Sequence, residues 1–192
     1  MRIPWRLCRL FSIYVRKITG HQQIPQGNFI VAANHLSSLD MIVIMIALRR
    51  RVTYVADQRL VKNWLRKFVV YWLGRSIPNG HKAIERAKEV IDQNKILCVF
   101  PEGDIHPQHR DGYIHTGVMV LSHQTQVPIL PIKITGTGKI WPPQVWPLKP
   151  WRFFSSTVTI GRPVLPLPPH KKFTKEEYGQ QSIELMENIM SL

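Results

Sequence analysis

A short apolar run, a polar turn and a second apolar run follow one another over residues 29–48, and this order constrains the fold more than any other feature of the chain. Residues 29–33 (Phe-Ile-Val-Ala-Ala) predict a short buried strand. Ser37 is a candidate helix N-cap, and Asp40 lies three residues later in the capping-box position, so residues 41–48 are predicted to be helical. The chain therefore changes from strand to helix within one turn.

His35 and Asp40 both belong to this turn, five residues apart. On one continuous helix, residues five apart point about 140° away from each other, so only a break between them lets the side chains meet. A carboxylate that accepts the Nδ1 proton of a histidine leaves Nε2 able to accept another proton. The spacing predicts a general base with its orienting partner. A simpler alternative is that Asp40 only caps the helix and His35 is a polar loop residue.

Size and charge limit the classes of function. A chain of 192 residues with 44% hydrophobic residues indicates one globular domain. A net charge of +14 indicates a polyanionic partner, which is nucleic acid, an anionic membrane surface or a phosphorylated substrate. Two cysteines, Cys8 and Cys98, are too few for a disulfide framework, and no Cys/His cluster has zinc spacing, so we expect no structural metal.

Two segments combine an apolar side with a basic side. Residues 1–18 predict an amphipathic helix, which would either lie in the plane of a membrane or pack on its own domain. Residues 59–73 show the same pattern, with Trp64 and Trp72 on the apolar side. The longest apolar run, residues 41–48, is far shorter than the ~20 residues of a membrane-spanning helix. We therefore expect a membrane-associating helix followed by one domain over residues 19–192.

The remaining pattern alternates between strands and helices. Further strands are predicted at residues 52–56, 95–100, 127–135 and 156–160, further helices at 81–94, 116–124 and 174–190, and a connection at 74–80. This alternation predicts a single-domain α/β sandwich with a mixed, largely parallel central sheet flanked by helices. In such folds, sites gather at the carboxyl ends of the strands.

A second motif, Phe100-Pro101-Glu102-Gly103, lies at the end of a predicted buried strand, as His35 does. If the two strands are neighbours, Glu102 and the Gly103 backbone approach the His/Asp pair. Glycine would let the backbone come close to a substrate, and Glu102 could accept hydrogen bonds from a polyol. Taken alone, such a tetrapeptide also fits an ordinary turn.

Together the motifs resemble those of the glycerolipid acyltransferase family, which includes bacterial 1-acyl-glycerol-3-phosphate acyltransferases. The family's Asn-His-x4-Asp matches residues 34–40, and its Phe-Pro-Glu-Gly matches residues 100–103. Residues 127–132 resemble its Val-Pro-Ile-x-Pro-Val block, and residues 160–163 resemble its late Gly-x-Pro segment. The resemblance spans roughly residues 19–165.

The resemblance implies transfer of an acyl group from acyl-CoA or acyl carrier protein to a lysophospholipid hydroxyl, without a further cofactor. His35 would be the general base and Asp40 its orienting partner, while Phe100, Pro101, Glu102 and Gly103 would bind substrate. The implied acceptor is 1-acyl-glycerol-3-phosphate, and the product phosphatidic acid. The implied location is the cytoplasmic face of a membrane, as a peripheral or monotopic protein.

Two departures from the family pattern concern the acceptor. The family's arginines, which are thought to bind the acceptor phosphate, are replaced by Gly80 and Ile105. Arg75 and Arg110 are the first candidates to replace them, with Lys133 as a third. The alternatives are an acceptor without a terminal phosphate or, in a different class, a basic nucleic-acid-binding protein.

Overall fold

The structure is a computed structural model, and it describes residues 11–56, 75–78, 80, 82–103, 105, 114–142, 149 and 151–192. The strands are β1 (Val15–Thr19), β2 (Ile30–Ala33), β3 (Val52–Ala56), β4 (Arg75–Pro78), β5 (Ile96–Val99), β6 (Ile129–Thr135) and β7 (Ser156–Ile160). The helices are α1 (Asp40–Leu48), α2 (Ala83–Asp92), α3 (Gly117–Thr125), α4 (Thr137–Ile140) and α5 (Lys175–Ser191), with a 3₁₀ turn at His21–Gln23.

The strands of the described residues form one mixed sheet in the order β1-β7-β6-β2-β5-β3-β4. The five strands from β6 to β4 are parallel, whereas β7 is antiparallel to β6 and β1 is parallel to β7. The carboxyl ends of the five parallel strands therefore share one edge with the amino ends of β1 and β7. We call this edge the carboxyl edge and the opposite one the amino edge. The predicted α/β fold with a largely parallel sheet is confirmed.

Apolar side chains cover both faces of the sheet. Along β2, Val31 and Ala33 belong to the core on the face of α1, while Ile30 and Ala32 belong to the core formed with α2, α3 and α5. Every residue of β2 is buried. A strand covered on both faces has no polar side, which explains why the sequence shows an unbroken apolar run there.

The predicted helix over residues 1–18 is wrong in its last part. Residues 11–14 form a 3₁₀ turn, and the next five residues form β1. Pairing with β7 outweighs the helical periodicity, and the β-branched Val15 and Ile18 favour a strand. Exposed Arg16 and Lys17 suit a strand at the edge of a sheet. Residues 1–10 lie outside the described residues.

The prediction of a connection over residues 74–80 is wrong for residues 75–78, which form β4. Among the described residues this strand pairs with β3 alone, as the outermost strand on the side of the sheet opposite β1, where the final Pro78 is tolerated. The predicted helix at residues 59–73 lies outside the described residues. Within the described part of the chain, no helix is both long and apolar enough to cross a bilayer.

Candidate active site

The predicted His/Asp pair forms directly after β2, at the carboxyl edge. His35 Nδ1 lies 2.9 Å from Asp40 Oδ2, with side-chain exposures of 13% and 0% respectively. The turn after β2 carries His35, and Asp40 is the first residue of α1. A carboxylate oxygen can only accept here, so Nδ1 carries the proton and Nε2 has the free lone pair. The geometry suits a general base, because the Asp40 carboxylate accepts the Nδ1 proton and leaves Nε2 to accept another.

Three donors converge on one oxygen of Asp40. Besides His35 Nδ1, the backbone N–H groups of Leu36 and Ser37 donate to Oδ2 at 2.6 and 2.8 Å. The Ser37 bond is one half of the predicted capping box, whereas Ser37 Oγ accepts from Leu39 N–H and donates to the Trp141 carbonyl. The helix begins at Asp40 with Leu39 as its N-cap residue, so the prediction of Ser37 as the N-cap is wrong. Asp40 Oδ2 binds the turn before the helix and His35 at the same time.

The imidazole of His35 rests on a stack of aromatic rings. Its ring centroid lies 3.9 Å from that of Phe100, at an angle of 10°, and the Phe100 ring is parallel to that of Tyr54 at 6.2 Å. The buried Tyr54 hydroxyl donates to the Met41 carbonyl at 2.6 Å, which ties β3 to α1. Phe100 thus supports the imidazole of His35 from the end of β5, the strand next to β2, and its predicted contact with substrate stays a prediction.

The Phe-Pro-Glu-Gly motif forms a tight turn beside the pair. Glu102 Oε1 accepts the backbone N–H of His35 at 3.2 Å, so this carboxylate positions the turn that carries His35. Gly103 N–H donates to the Phe100 carbonyl at 3.0 Å, which closes the turn. Pro101 is buried, and its carbonyl accepts the N–H of His115 at 2.8 Å. The motif is brought to the pair, as predicted.

Two features favour glycine at position 103. Its φ of +75° lies in the left-handed region, and a Cβ atom there would come within 2.4 Å of His115 Nε2. The imidazole of His115 thus covers the glycine turn, next to Glu102. This second histidine at the site was not predicted.

Asn34 joins the turn after β2 to β6. Its side chain donates to the Ile134 carbonyl at 2.9 Å and accepts the Ile134 N–H at 2.7 Å, and all these groups are buried. The last backbone pair between β2 and β6 is Ala33 with Ile132, so the Asn34 amide takes the place of a peptide group beyond the end of β2. The adjacent His35 is thereby held at the edge of the sheet.

We expect Asn34→Ala to lower the free energy of unfolding by about 2–4 kcal/mol, because it leaves both Ile134 backbone groups buried without partners. Denaturant titration of the purified variant measures this change. Asn28→Ala is the matched control, since it removes an amide that bonds the Ile91 carbonyl in a half-exposed place at the start of β2. Equal losses for the two variants would contradict the role of Asn34.

The candidate phosphate-binding residues differ in their position relative to the carboxyl edge. Arg75 pairs with Thr53 and is the first residue of β4, so its backbone lies about 10 Å before the carboxyl edge. Lys133 Nζ donates to the Met190 carbonyl near the end of α5. Arg110 lies outside the described residues, but Gly103 and His115, which precede and follow it along the chain, meet beside Glu102. The register of β4 thus makes Arg75 the weaker candidate for binding the acceptor phosphate and leaves Arg110 as the stronger one. Both assignments stay predictions.

Cys98 is unsuited to act as a nucleophile. It is fully buried in β5, beside Val31 and Tyr54 in the neighbouring strands. Burial raises the pKa of its thiol well above the ordinary value, and the negative charge of Asp40 adds to this effect. A thiol that stays protonated is a poor nucleophile, so an acyl-enzyme intermediate on Cys98 is disfavoured.

Comparison with known proteins identifies the family of the chain. The family model "Acyltransferase" matches residues 15–135. This match covers more than half of the chain, so the chain belongs to the acyltransferase family. The sequence-based recognition of the family is confirmed.

Individual relatives extend the comparison. The chain is 27% identical over 147 residues to a Mycoplasma pneumoniae protein named "Probable 1-acyl-sn-glycerol-3-phosphate acyltransferase", covering 69% of this chain and 55% of the relative. It is 26% identical over 146 residues to the chloroplastic 1-acyl-sn-glycerol-3-phosphate acyltransferase BAT2 of Brassica napus, covering 72% and 42%. The chain thus spans about half the length of these curated relatives.

A solved structure has the same fold. The crystal structure of the 1-acyl-sn-glycerophosphate (LPA) acyltransferase PlsC from Thermotoga maritima superposes with a TM-score of 0.68 at 23% identity. The superposition covers 97% of this chain and 76% of that one. At this level of identity the likeness is one of fold.

Proposed function

We propose that this chain is an O-acyltransferase that moves a fatty acyl group from a thioester to a lysophospholipid hydroxyl. The observation that carries the proposal is the 2.9 Å contact between His35 Nδ1 and the fully buried Asp40. It leaves Nε2 as the proton acceptor at the edge of the sheet where substrates bind in α/β folds. The names of the relatives support a lysophosphatidic acid acceptor.

In the proposed reaction, His35 Nε2 accepts the proton of the acceptor hydroxyl as its oxygen attacks the thioester carbonyl. The tetrahedral intermediate collapses, the C–S bond breaks, and the imidazolium returns the proton to the departing thiolate. Asp40 stabilises the imidazolium throughout. General-base catalysis of this kind contributes about 10²- to 10⁴-fold. No metal, prosthetic group or covalent enzyme intermediate takes part, and the donor is acyl-CoA or acyl carrier protein.

The protein would carry out this reaction as a peripheral or monotopic protein at the cytoplasmic face of a membrane, because its acceptor is a membrane lipid. The charge of +14 and the basic, apolar amino-terminal residues support contact with an anionic surface. The acceptor then approaches from the lipid side. Nothing in this proposal requires a membrane-spanning segment.

The acceptor is tested with purified protein, labelled acyl-CoA or acyl carrier protein, and a panel of lysolipids. We expect lysophosphatidic acid to be preferred, and Arg110→Ala to lower its kcat/KM about 10- to 100-fold, because a charge-assisted contact with phosphate is lost. Arg75→Ala should have a smaller effect, given the register of β4. Arg162→Ala is the matched control, since this exposed arginine follows β7 at the amino edge.

The outcomes separate the two acceptors. A preference for lysophosphatidic acid that survives both substitutions unchanged would overturn the idea that these arginines replace the missing ones. Transfer only to lysolipids without a terminal phosphate would favour the other acceptor class. If no thioester and acceptor pair supports transfer, the proposed function is wrong.

A further inference from the structure

A cluster of exposed apolar side chains has no role in the proposed reaction. Seven large hydrophobic side chains are exposed in the described residues, and four of them lie together. These are Ile13, Trp151, Phe153 and Phe154, with exposed fractions of 43%, 66%, 51% and 62%. We call these four residues the aromatic rim. Single exposed apolar residues are common, but such a concentration marks a site of interaction.

The aromatic rim is held in place by its own contacts. Phe154 N–H donates to the Ile13 carbonyl at 2.8 Å, and Phe153 stacks on Tyr14 with ring centroids 5.7 Å apart. Phe154 has a φ of +51°, a conformation that is strained for a bulky residue. Backbone strain of this kind persists where the surroundings enforce it, often at functional positions. These contacts hold the backbone of Phe154 against that of Ile13 and the ring of Phe153 against Tyr14, while all four side chains stay exposed.

The rim lies at the same edge of the sheet as the catalytic pair. The residues after Phe154 lead into β7, where Thr157 pairs with Thr135, the last residue of β6. β6 lies beside β2, and His35 follows β2. Both β1 and β7 begin at the carboxyl edge. The two segments of the rim precede these strands in the chain, so both segments lie at the carboxyl edge as well.

Charge indicates the kind of partner. Residues 1–39 contain five Lys and Arg residues, residues 112–175 contain eight, and neither segment has any Asp or Glu. Both segments of the rim come from these stretches, and Arg152, in the middle of the rim, is exposed. Tryptophan and phenylalanine beside basic residues suit the headgroup region of an anionic bilayer, where each basic residue contributes ~1 kcal/mol.

We propose that the aromatic rim is a membrane-docking surface that inserts into the headgroup region of an anionic bilayer and turns the carboxyl edge, with His35, toward the lipid. This orientation rests on the proposed function, whereas docking itself does not. Trp151 and Phe154 are the most exposed members and supply most of the inserted apolar surface. Arg152 contacts lipid phosphates from the same loop.

Vesicle flotation tests the proposal with the full chain. We expect Trp151→Ser/Phe154→Asn to weaken partitioning onto phosphatidylcholine–phosphatidylglycerol vesicles by about tenfold or more, because two large apolar side chains no longer insert. Asparagine tolerates the positive φ at position 154. Arg152→Gln should weaken binding about fivefold, and only on the anionic vesicles.

Matched controls come from the amino edge. Leu165 is 77% exposed and follows Val164, which pairs with Ile129 at the start of β6. Leu165→Ser and Arg162→Gln should leave binding unchanged. In addition, brominated lipid should quench a larger part of the tryptophan fluorescence in wild type than in Trp151→Phe, which should keep binding; the difference reports the insertion of Trp151.

Several results would overturn the proposal. One is equal binding by wild type and the rim double variant. Another is a dimer of the wild type that the double variant abolishes while vesicle binding persists, because the rim would then join two copies of the chain. Acyl transfer to a short-chain lysolipid, assayed without vesicles, is expected to be unchanged in the double variant. Failure of that transfer in wild type would count against the proposed function and leave docking intact.

Discussion

His35→Ala is expected to lower kcat/KM for acyl transfer by about 10²- to 10⁴-fold while the protein stays folded, because the variant loses its proton acceptor. The side chain is 13% exposed at the edge of the core, and its loss removes the stack on Phe100, which costs about 1 kcal/mol. His35→Gln, which keeps a similar size and cannot take up the proton, should be equally slow. Initial rates and denaturant titrations on the same preparations measure both effects.

His21→Ala is the matched control for this prediction. His21 is exposed and follows β1, whose last residue lies at the amino edge. Its substitution should leave the rate unchanged. A rate for His35→Ala within tenfold of wild type, in an assay where wild type is active, would show that His35 is not the base.

Asp40→Asn is expected to reduce the rate by about 10²- to 10⁴-fold through the loss of charge alone. The N–H groups of Leu36 and Ser37 point at the position of Oδ2, so they select the amide oxygen for that place. The amide oxygen can then still accept from His35 Nδ1, and the histidine keeps its tautomer. The imidazolium formed during the reaction, however, no longer faces a negative charge.

Two substitutions of Asp40 should differ in their free energy of unfolding. Asp40→Ala removes the acceptor of all three donors and should lower both the rate and the free energy of unfolding. Asp40→Asn should retain most of the stability at the same low rate. If Asp40→Asn were as fast as wild type, Asp40 would serve only to stabilise the turn before α1.

The catalytic pair was predictable because it depends on one local segment. Five residues separate His35 from Asp40, and strand, turn and helix signals lie within the same stretch. The role of Asn34 was hidden because its partner Ile134 lies 100 positions further along the chain. A polar residue directly after a buried strand was the only local signal for it. Tyr54 and His115 likewise act through contacts that no sequence spacing reveals.

The errors in the fold have a related cause. Residues 15–19 fit a helical pattern, but β7, which follows more than 130 positions later, supplies a strand partner for them. The residues of β4 are Arg-Ser-Ile-Pro, and a single apolar residue followed by proline does not distinguish an edge strand from a loop. In both cases the deciding interaction is a pairing at an outer position of the sheet, where hydrophobic patterning is weakest.

The three donors to Asp40 all come from the three residues that follow Asn34, so the proton-transfer apparatus is built from one contiguous piece of chain. Other strands supply only its surroundings, through the Phe100 ring and the Glu102 carboxylate that follow β5. Those surroundings can therefore change in the course of evolution while the hydrogen bonds within the pair stay the same.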